Sequence, residues 1–99
     1  MPILLKYHGT HSRGVFHRLM KKSSTLRSTL KRRSKEYEVE FNIALADIRK
    51  LFLSSYGTSC KYCPRILDIR TMVCDHVVPL SYGGPSTTKN VEMICRRCN

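Results

Sequence analysis

Four cysteines in two closely spaced pairs carry the clearest chemistry in this sequence. Cys60-x-x-Cys63 and Cys95-x-x-Cys98 each have the spacing that lets both thiolates of a pair reach one ion. Four thiolates close a tetrahedral structural zinc site, and Zn²⁺ is the metal they select. The pairs are separated by 31 residues, more than a simple zinc ribbon needs, so the chain between them must fold into something of its own. The fifth cysteine, Cys74, sits among Met72, Val73, Val77 and Val78 and reads as a core strand residue.

The insert holds the second group of reactive side chains. Met72-Val73-Cys74-Asp75-His76-Val77-Val78-Pro79-Leu80 sets a carboxylate and an imidazole side by side in a β-branched run. The run ends at Pro79, and Ser81-Tyr82-Gly83-Gly84-Pro85-Ser86 forms a loop. Neighbouring strand residues point to opposite faces, so Asp75 and His76 can share one site only if the strand bends or ends there. Asn90 follows the loop, and Asn99 follows Cys98 directly. Histidine is the side chain whose ordinary pKa suits a general base near neutral pH. Hard oxygen ligands such as Asp and Asn suit Mg²⁺, so such a site need not compete with the thiolates for zinc.

The elements that must position these groups are few. The chain has 99 residues, which bounds it to one small domain with a modest core, a size at which a structural metal commonly helps. Phe16, Leu19, Met20, Ser23, Leu26 and Leu30 recur at steps of three and four, predicting a helix from Val15 to about Arg33. Residues 36–43 alternate polar and apolar, predicting a strand with Tyr37, Val39, Phe41 and Ile43 on one face. Leu45, Ile48, Leu51, Phe52 and Tyr56 predict a second helix over 45–55, with Gly57 as its stop. Residues 58–99 are short and turn-rich. The organisation expected is therefore a basic helical arm over 1–35 and a domain over 36–99.

Charge divides along the same line. Lys+Arg number 18 against 7 Asp+Glu, a formal net charge of +11. Residues 1–35 hold ten of the basic residues and no acid. Such an arm points to a polyanion, nucleic acid before a membrane surface, with Lys21, Lys22, Arg27, Lys31, Arg32, Arg33 and Lys35 as the candidate contacts. The longest uncharged run, His76 to Thr88, is 13 residues and interrupted by Pro and Gly, too short to cross a bilayer as a helix. The N-terminal residues lack the basic-then-apolar pattern of a signal peptide, so an intracellular, cytoplasmic setting is expected.

Taken together, Cys60-Lys61-Tyr62-Cys63, Asp75-His76-Val77-Val78-Pro79-Leu80-Ser81-Tyr82-Gly83-Gly84, Asn90 and Cys95-Arg96-Arg97-Cys98-Asn99 resemble the zinc-containing branch of the HNH endonucleases. These enzymes are often carried by phages and mobile introns. The resemblance covers about residues 45–99. It implies a small α+β protein of the ββα-metal (His-Me finger) type: a hairpin carrying Asp75 and His76, a loop carrying Asn90, and a helix carrying Asn99. It further implies His76 as general base, Asp75 and Asn99 as ligands of one Mg²⁺ or Mn²⁺, Asn90 as a brace behind His76, and double-stranded DNA as substrate. In the family the last helix runs on past the position of Asn99, where this chain stops, so the activity expected of these 99 residues depends on that helix. Two alternatives stay open at this stage: an inactive HNH-like zinc module that only binds nucleic acid, and a basic zinc ribbon of RNA- or ribosome-associated type. A plain ribbon has no use for Asp75, His76 and Asn99.

Overall fold

The computed structural model describes residues 10–99, with side chains from Gly14 onward. Lys6 lies outside the described residues, as does the side chain of Arg13. Helix α1 spans Thr10–Glu36 and is longer at both ends than the periodicity predicts. Its inward stripe is Leu19, Ser23, Leu30 and Ser34, all buried, flanked by half-buried Met20 and Leu26, whereas Phe16 is exposed. The serine at 23 is accommodated within the helix because its hydroxyl donates to the Leu19 carbonyl at 2.7 Å. Arg33 and Lys35 in the last turn oppose the negative end of the helix dipole.

The chain leaves α1 through a left-handed residue, Glu38 (φ 54°). The Val39 N–H bonds back to the Ser34 carbonyl at 3.0 Å and the Glu38 N–H to Lys35 at 3.2 Å, the two bonds of a Schellman cap. This turn overrides the alternation over residues 36–43. Glu36 is helical, Tyr37 is exposed, and the strand that remains, β1, is only Phe41–Asn42. Of the four residues expected on one face, Ile43 is buried, while Val39 and Phe41 are half-buried.

Helix α2 covers Leu45–Ser55. The Asp47 carboxylate accepts the Ala44 N–H at 3.1 Å and so satisfies one of the orphan donors at its start. Ile48, Phe52 and, just beyond the helix, Tyr56 are buried against α1 and the sheet. Strand β2 (Met72–His76) pairs antiparallel with β4 (Val91–Cys95) in the register Met72↔Cys95 through His76↔Val91. Strand β3 (Ser86–Thr87) pairs in parallel with β1. Between β2 and β3 lies a single 3-10 turn, Leu80–Tyr82.

One core serves all of these pieces. Leu19 and Leu30 of α1 join Ile43, Ile48, Phe52, Leu67, Met72, Met93 and Ile94. The basic helix is therefore a packed wall of the domain and not a detached arm: its apolar stripe has to be buried, and the α2–sheet face covers it. Among the described residues, no helix is long and apolar enough to cross a membrane.

Candidate metal centre and cleft

The hairpin register sorts the functional side chains to two ends. At the Met72↔Cys95 end the two cysteine pairs converge. The sulfur atoms of Cys60, Cys63, Cys95 and Cys98 all lie within 4.8 Å of one another, and those of Cys63 and Cys95 are 3.4 Å apart. A tetrahedron with Zn–S bonds of about 2.3 Å has edges of roughly 3.8 Å, so the cluster has the right size and the right donors for zinc. Backbone N–H groups already face the sulfurs: Cys95 donates to Cys60 Sγ at 3.3 Å. The Arg65 N–H, stabilising the thiolate against partial burial, brings the Cys63 thiol down to about 6. Cys98, hydrogen-bonded by the neighbouring cysteines Cys95 and Cys63, is pushed up to about 12. Four negative sulfurs cannot coexist at this spacing without a cation, so ionisation of the set goes with metal binding. Cys74 stands apart on β2, half-buried, with burial raising its thiol to about 12.

At the other end β2 stops at His76, and this resolves the problem of consecutive residues facing opposite ways. Asp75 and His76 both line a cleft of about 180 Å³ together with Arg33, Tyr37, Pro79, Leu80 and Ser81. His76 Nε2 lies 2.9 Å from the Ser86 hydroxyl. Burial, and after it the Arg33 guanidinium, lower the His76 pKa, while Asp75 works in the opposite direction. The imidazole is thus held neutral at neutral pH, the form that can accept a proton.

The loop between the strands is held by Asn90, which is buried. Its Oδ1 accepts the Val78 N–H at 2.9 Å, and its Nδ2 donates to the carbonyls of Val78 at 3.1 Å and Pro85 at 2.8 Å. The backbone adds a bond from the Val77 N–H to the Asn90 carbonyl at 2.9 Å. The two ends of the loop are clipped together directly behind His76. Gly84 permits the close approach this requires: a Cβ there would sit 1.7 Å from the Val78 carbonyl oxygen. Gly83, at φ 87°, closes the 3-10 turn in the left-handed region.

Asn99 is not among the residues lining the cleft. It is exposed, beyond a turn that follows β4. Asp75 pairs with Glu92, three residues back along β4 from Cys95, or about 10 Å at strand rise. Asn99 therefore reaches Asp75 only if the chain after Cys98 doubles back along the hairpin.

The seven candidate contacts on α1 fall into two sets. Lys22 donates to the Ile69 carbonyl and is half-buried. Arg27 donates to the Ile43 carbonyl at 3.0 Å and lies 5.2 Å over the Phe41 ring. These two pin α1 to the rest of the domain. Lys21, Lys31, Arg32, Arg33 and Lys35 are exposed, and Arg33 reaches the cleft. Sequence reasoning missed the cleft position of Arg33 and the buried hydroxyls around His76. The partners are far apart in the chain and carry no local pattern.

Residues 60–99 match the family model of the HNH endonucleases. The matched stretch holds both cysteine pairs, Asp75, His76, the loop and Asn90. No curated protein and no solved structure matches the chain. At the level of the HNH family the chemistry is nuclease-type cleavage of nucleic acid. The α+β architecture with its four-cysteine cluster agrees with a ββα-metal fold.

Proposed function

We propose that the protein is a metal-dependent endonuclease that hydrolyses phosphodiester bonds of double-stranded DNA. The observation that carries this reading is the cleft in which Asp75, a neutral His76 and Arg33 meet at the end of a strand. In the reaction His76 takes a proton from the attacking water. Arg33 faces the phosphate and offsets the charge that builds on its oxygens. Asn90 keeps the loop closed behind the imidazole and fixes its approach. Cys60, Cys63, Cys95 and Cys98 would hold a structural zinc that braces the far end of the hairpin, away from the cleft. Asp75 offers a hard oxygen ligand for Mg²⁺ or Mn²⁺ in the cleft, with Asn99 as the second ligand implied by the family pattern. When bound, that cation would neutralise charge on the phosphate and the leaving oxygen. Lys21, Lys31, Arg32 and Lys35 supply phosphate contacts that position the duplex without reading its sequence.

The test is conversion of supercoiled plasmid to open circle by wild type and His76→Ala with Mg²⁺ or Mn²⁺, at matched zinc content. His76→Ala should be slower by about 10²–10⁴-fold with DNA binding intact. The acid limb of the wild-type rate should fall below the ordinary histidine pKa of about 6.5, because burial disfavours the protonated ring. Equal nicking by both proteins would remove His76 from the mechanism. No nicking by wild type, with zinc bound and DNA affinity intact, would favour the nucleic-acid-binding module instead.

A further inference from the structure

At the zinc end of the hairpin lies a group of arginines that the catalytic reading does not use. Arg65, Arg70, Arg96 and Arg97 line a hollow of about 190 Å³ together with Thr71 and Cys95. All four arginines are exposed. They come from the loop after the first knuckle and from the second knuckle, well away in sequence from the basic residues of α1. No carboxylate lines the hollow. The acid of that loop, Asp68, is engaged with the backbone: its Oδ1 accepts the N–H of Arg70 at 2.8 Å and of Thr71 at 2.9 Å. These bonds fix the chain at Arg70. Arg96 is fixed as well, its N–H donating to the Thr71 carbonyl at 2.7 Å and its Nη2 to the Arg70 carbonyl at 3.1 Å.

The simplest role for arginine beside a cysteine cluster is to balance the charge of the thiolates. Arg65 is placed for that, with Nη1 3.8 Å from Cys63 Sγ. Four thiolates around one Zn²⁺ carry a formal charge of about −2, so two arginines suffice and two positive charges remain. Asp68 does not cancel them, because it also faces the ammonium of Lys22. Like charges gathered at one solvent-open hollow repel one another until an anion joins them. A guanidinium presents its N–H groups as a planar fork that matches two oxygens of a phosphate.

We propose that this hollow is a second phosphate seat, which takes one backbone phosphate of the DNA apart from the one cut in the cleft. The inference rests on the reading of duplex DNA as substrate. From the Met72↔Cys95 pair to the His76↔Val91 pair is four strand steps, about 13 Å, so one phosphate cannot occupy both places. Phosphates on one strand follow at about 3.4 Å of rise, so a duplex lying along the hairpin brings to the hollow a phosphate about four nucleotides from the scissile one. Helix α1 runs between the same two places: Lys22 is pinned to the Ile69 carbonyl, next to Arg70, and Arg33 stands in the cleft. The seat supplies position and not chemistry, since a phosphate contact fixes register without reading sequence. The second knuckle thus has two uses: its cysteines hold the fold, and its arginines hold the substrate.

The test is binding without cutting. Fluorescence anisotropy of a labelled duplex with the zinc-loaded full chain, in the absence of Mg²⁺ and Mn²⁺, gives log K across a series of salt concentrations. Arg70 and Arg97 are the residues to change, because Arg65 faces a thiolate and Arg96 braces the loop. The double variant Arg70→Ala, Arg97→Ala should flatten the slope of log K against log [salt] by about 0.9, the loss of one neutralised phosphate. Arg70→Lys with Arg97→Lys should keep the slope, since the charges stay. Ethylation of the phosphate about four nucleotides from the scissile one should weaken binding by wild type and leave the alanine double variant unaffected. If the alanine variant fails to hold zinc, the lysine variant and the ethylation pattern on wild type decide the matter. An unchanged slope in a zinc-loaded alanine variant, or wild-type binding indifferent to ethylation there, overturns the seat and leaves the arginines as counter-charges of the thiolates. No binding of duplex DNA by wild type overturns the reading of the substrate itself.

Discussion

Replacing Asn90 by alanine should destabilise the domain before it affects any chemical step. The side chain makes three hydrogen bonds to backbone: to Val78 N, Val78 O and Pro85 O, at 2.8–3.1 Å. Each is worth about 0.5–1.5 kcal/mol net, and the range widens where a group is left unpaired. Val78 is exposed, so water can reach some of what alanine abandons. A loss of about 2–3 kcal/mol follows, and for a domain of this size that is a fall in Tm of roughly 10–20 °C. Asn90→Asp separates the two halves of the argument. It keeps the acceptor for Val78 N–H but turns a carboxylate oxygen toward two carbonyls, so it should be no better than alanine. Thermal unfolding of zinc-loaded wild type and both variants, followed by circular dichroism, gives the answer. A fall of less than about 3 °C in Asn90→Ala, or full rescue by aspartate, would show that the loop is not held by this side chain.

Three further outcomes follow from the same geometry. Purified without chelator, the protein should contain about one zinc per chain by elemental analysis; Cys74→Ser should keep it, and serine at Cys60, Cys63, Cys95 or Cys98 should lose it, with melting of residues 58–99 on chelation. Gly84→Ala should disrupt the loop, because its Cβ would meet the Val78 carbonyl at 1.7 Å, and broadened or shifted amide resonances over residues 77–90 would register it. DNA binding should weaken with salt at a slope of log K against log [salt] near −4.5 if the five exposed candidate contacts Lys21, Lys31, Arg32, Arg33 and Lys35 each neutralise one phosphate at about 0.9. Alanine at Lys31, Arg32 and Arg33 together should flatten that slope by about 2.7 on any duplex, and an unchanged slope would mean a solvated face.

What could be read from the chain depended on how local each signal was. The two cysteine pairs are defined by spacing within four residues, and the fold had only to bring the pairs together. Helix α2 announced itself because its buried side chains repeat at helical spacing and Gly57 stops it. The alternation over residues 36–43 overstated the strand, because a Schellman cap with Glu38 in a left-handed conformation takes up residues 36–39 and leaves only Phe41–Asn42 in a strand. Composition gave the charge of α1 but not its direction: Lys22 and Arg27 are indistinguishable in sequence from Lys31 and Arg32, yet their charges meet backbone carbonyls. The Ser34–Ser86 contact spans 52 residues between two unremarkable serines, and only the packed structure puts it beside a histidine.

These points change what α1 is for. The family match begins at Cys60, after α1, β1 and α2, and covers the knuckles, the hairpin and the loop. That stretch contains Asp75, His76 and Asn90, but the cleft wall opposite them is Arg33 and Tyr37, and the hydroxyl behind Ser86 is Ser34. All three come from the end of α1 and its cap. The same helix turn therefore faces three ways: Ser34 into the interior toward Ser86, Arg33 into the cleft, and Lys31, Arg32 and Lys35 outward to solvent. A helix achieves this because successive residues are separated by about 100°. Docking α1 through Leu19, Ser23 and Leu30, with Lys22 and Arg27 as pins, sets the rotation of that turn to within the tolerance of a hydrogen bond. Rotating the helix by one residue would bury a charge in place of Ser34 and withdraw Arg33 from the cleft. The packing of the basic helix and the geometry around His76 are thus the same constraint, imposed on the matched segment by residues outside it.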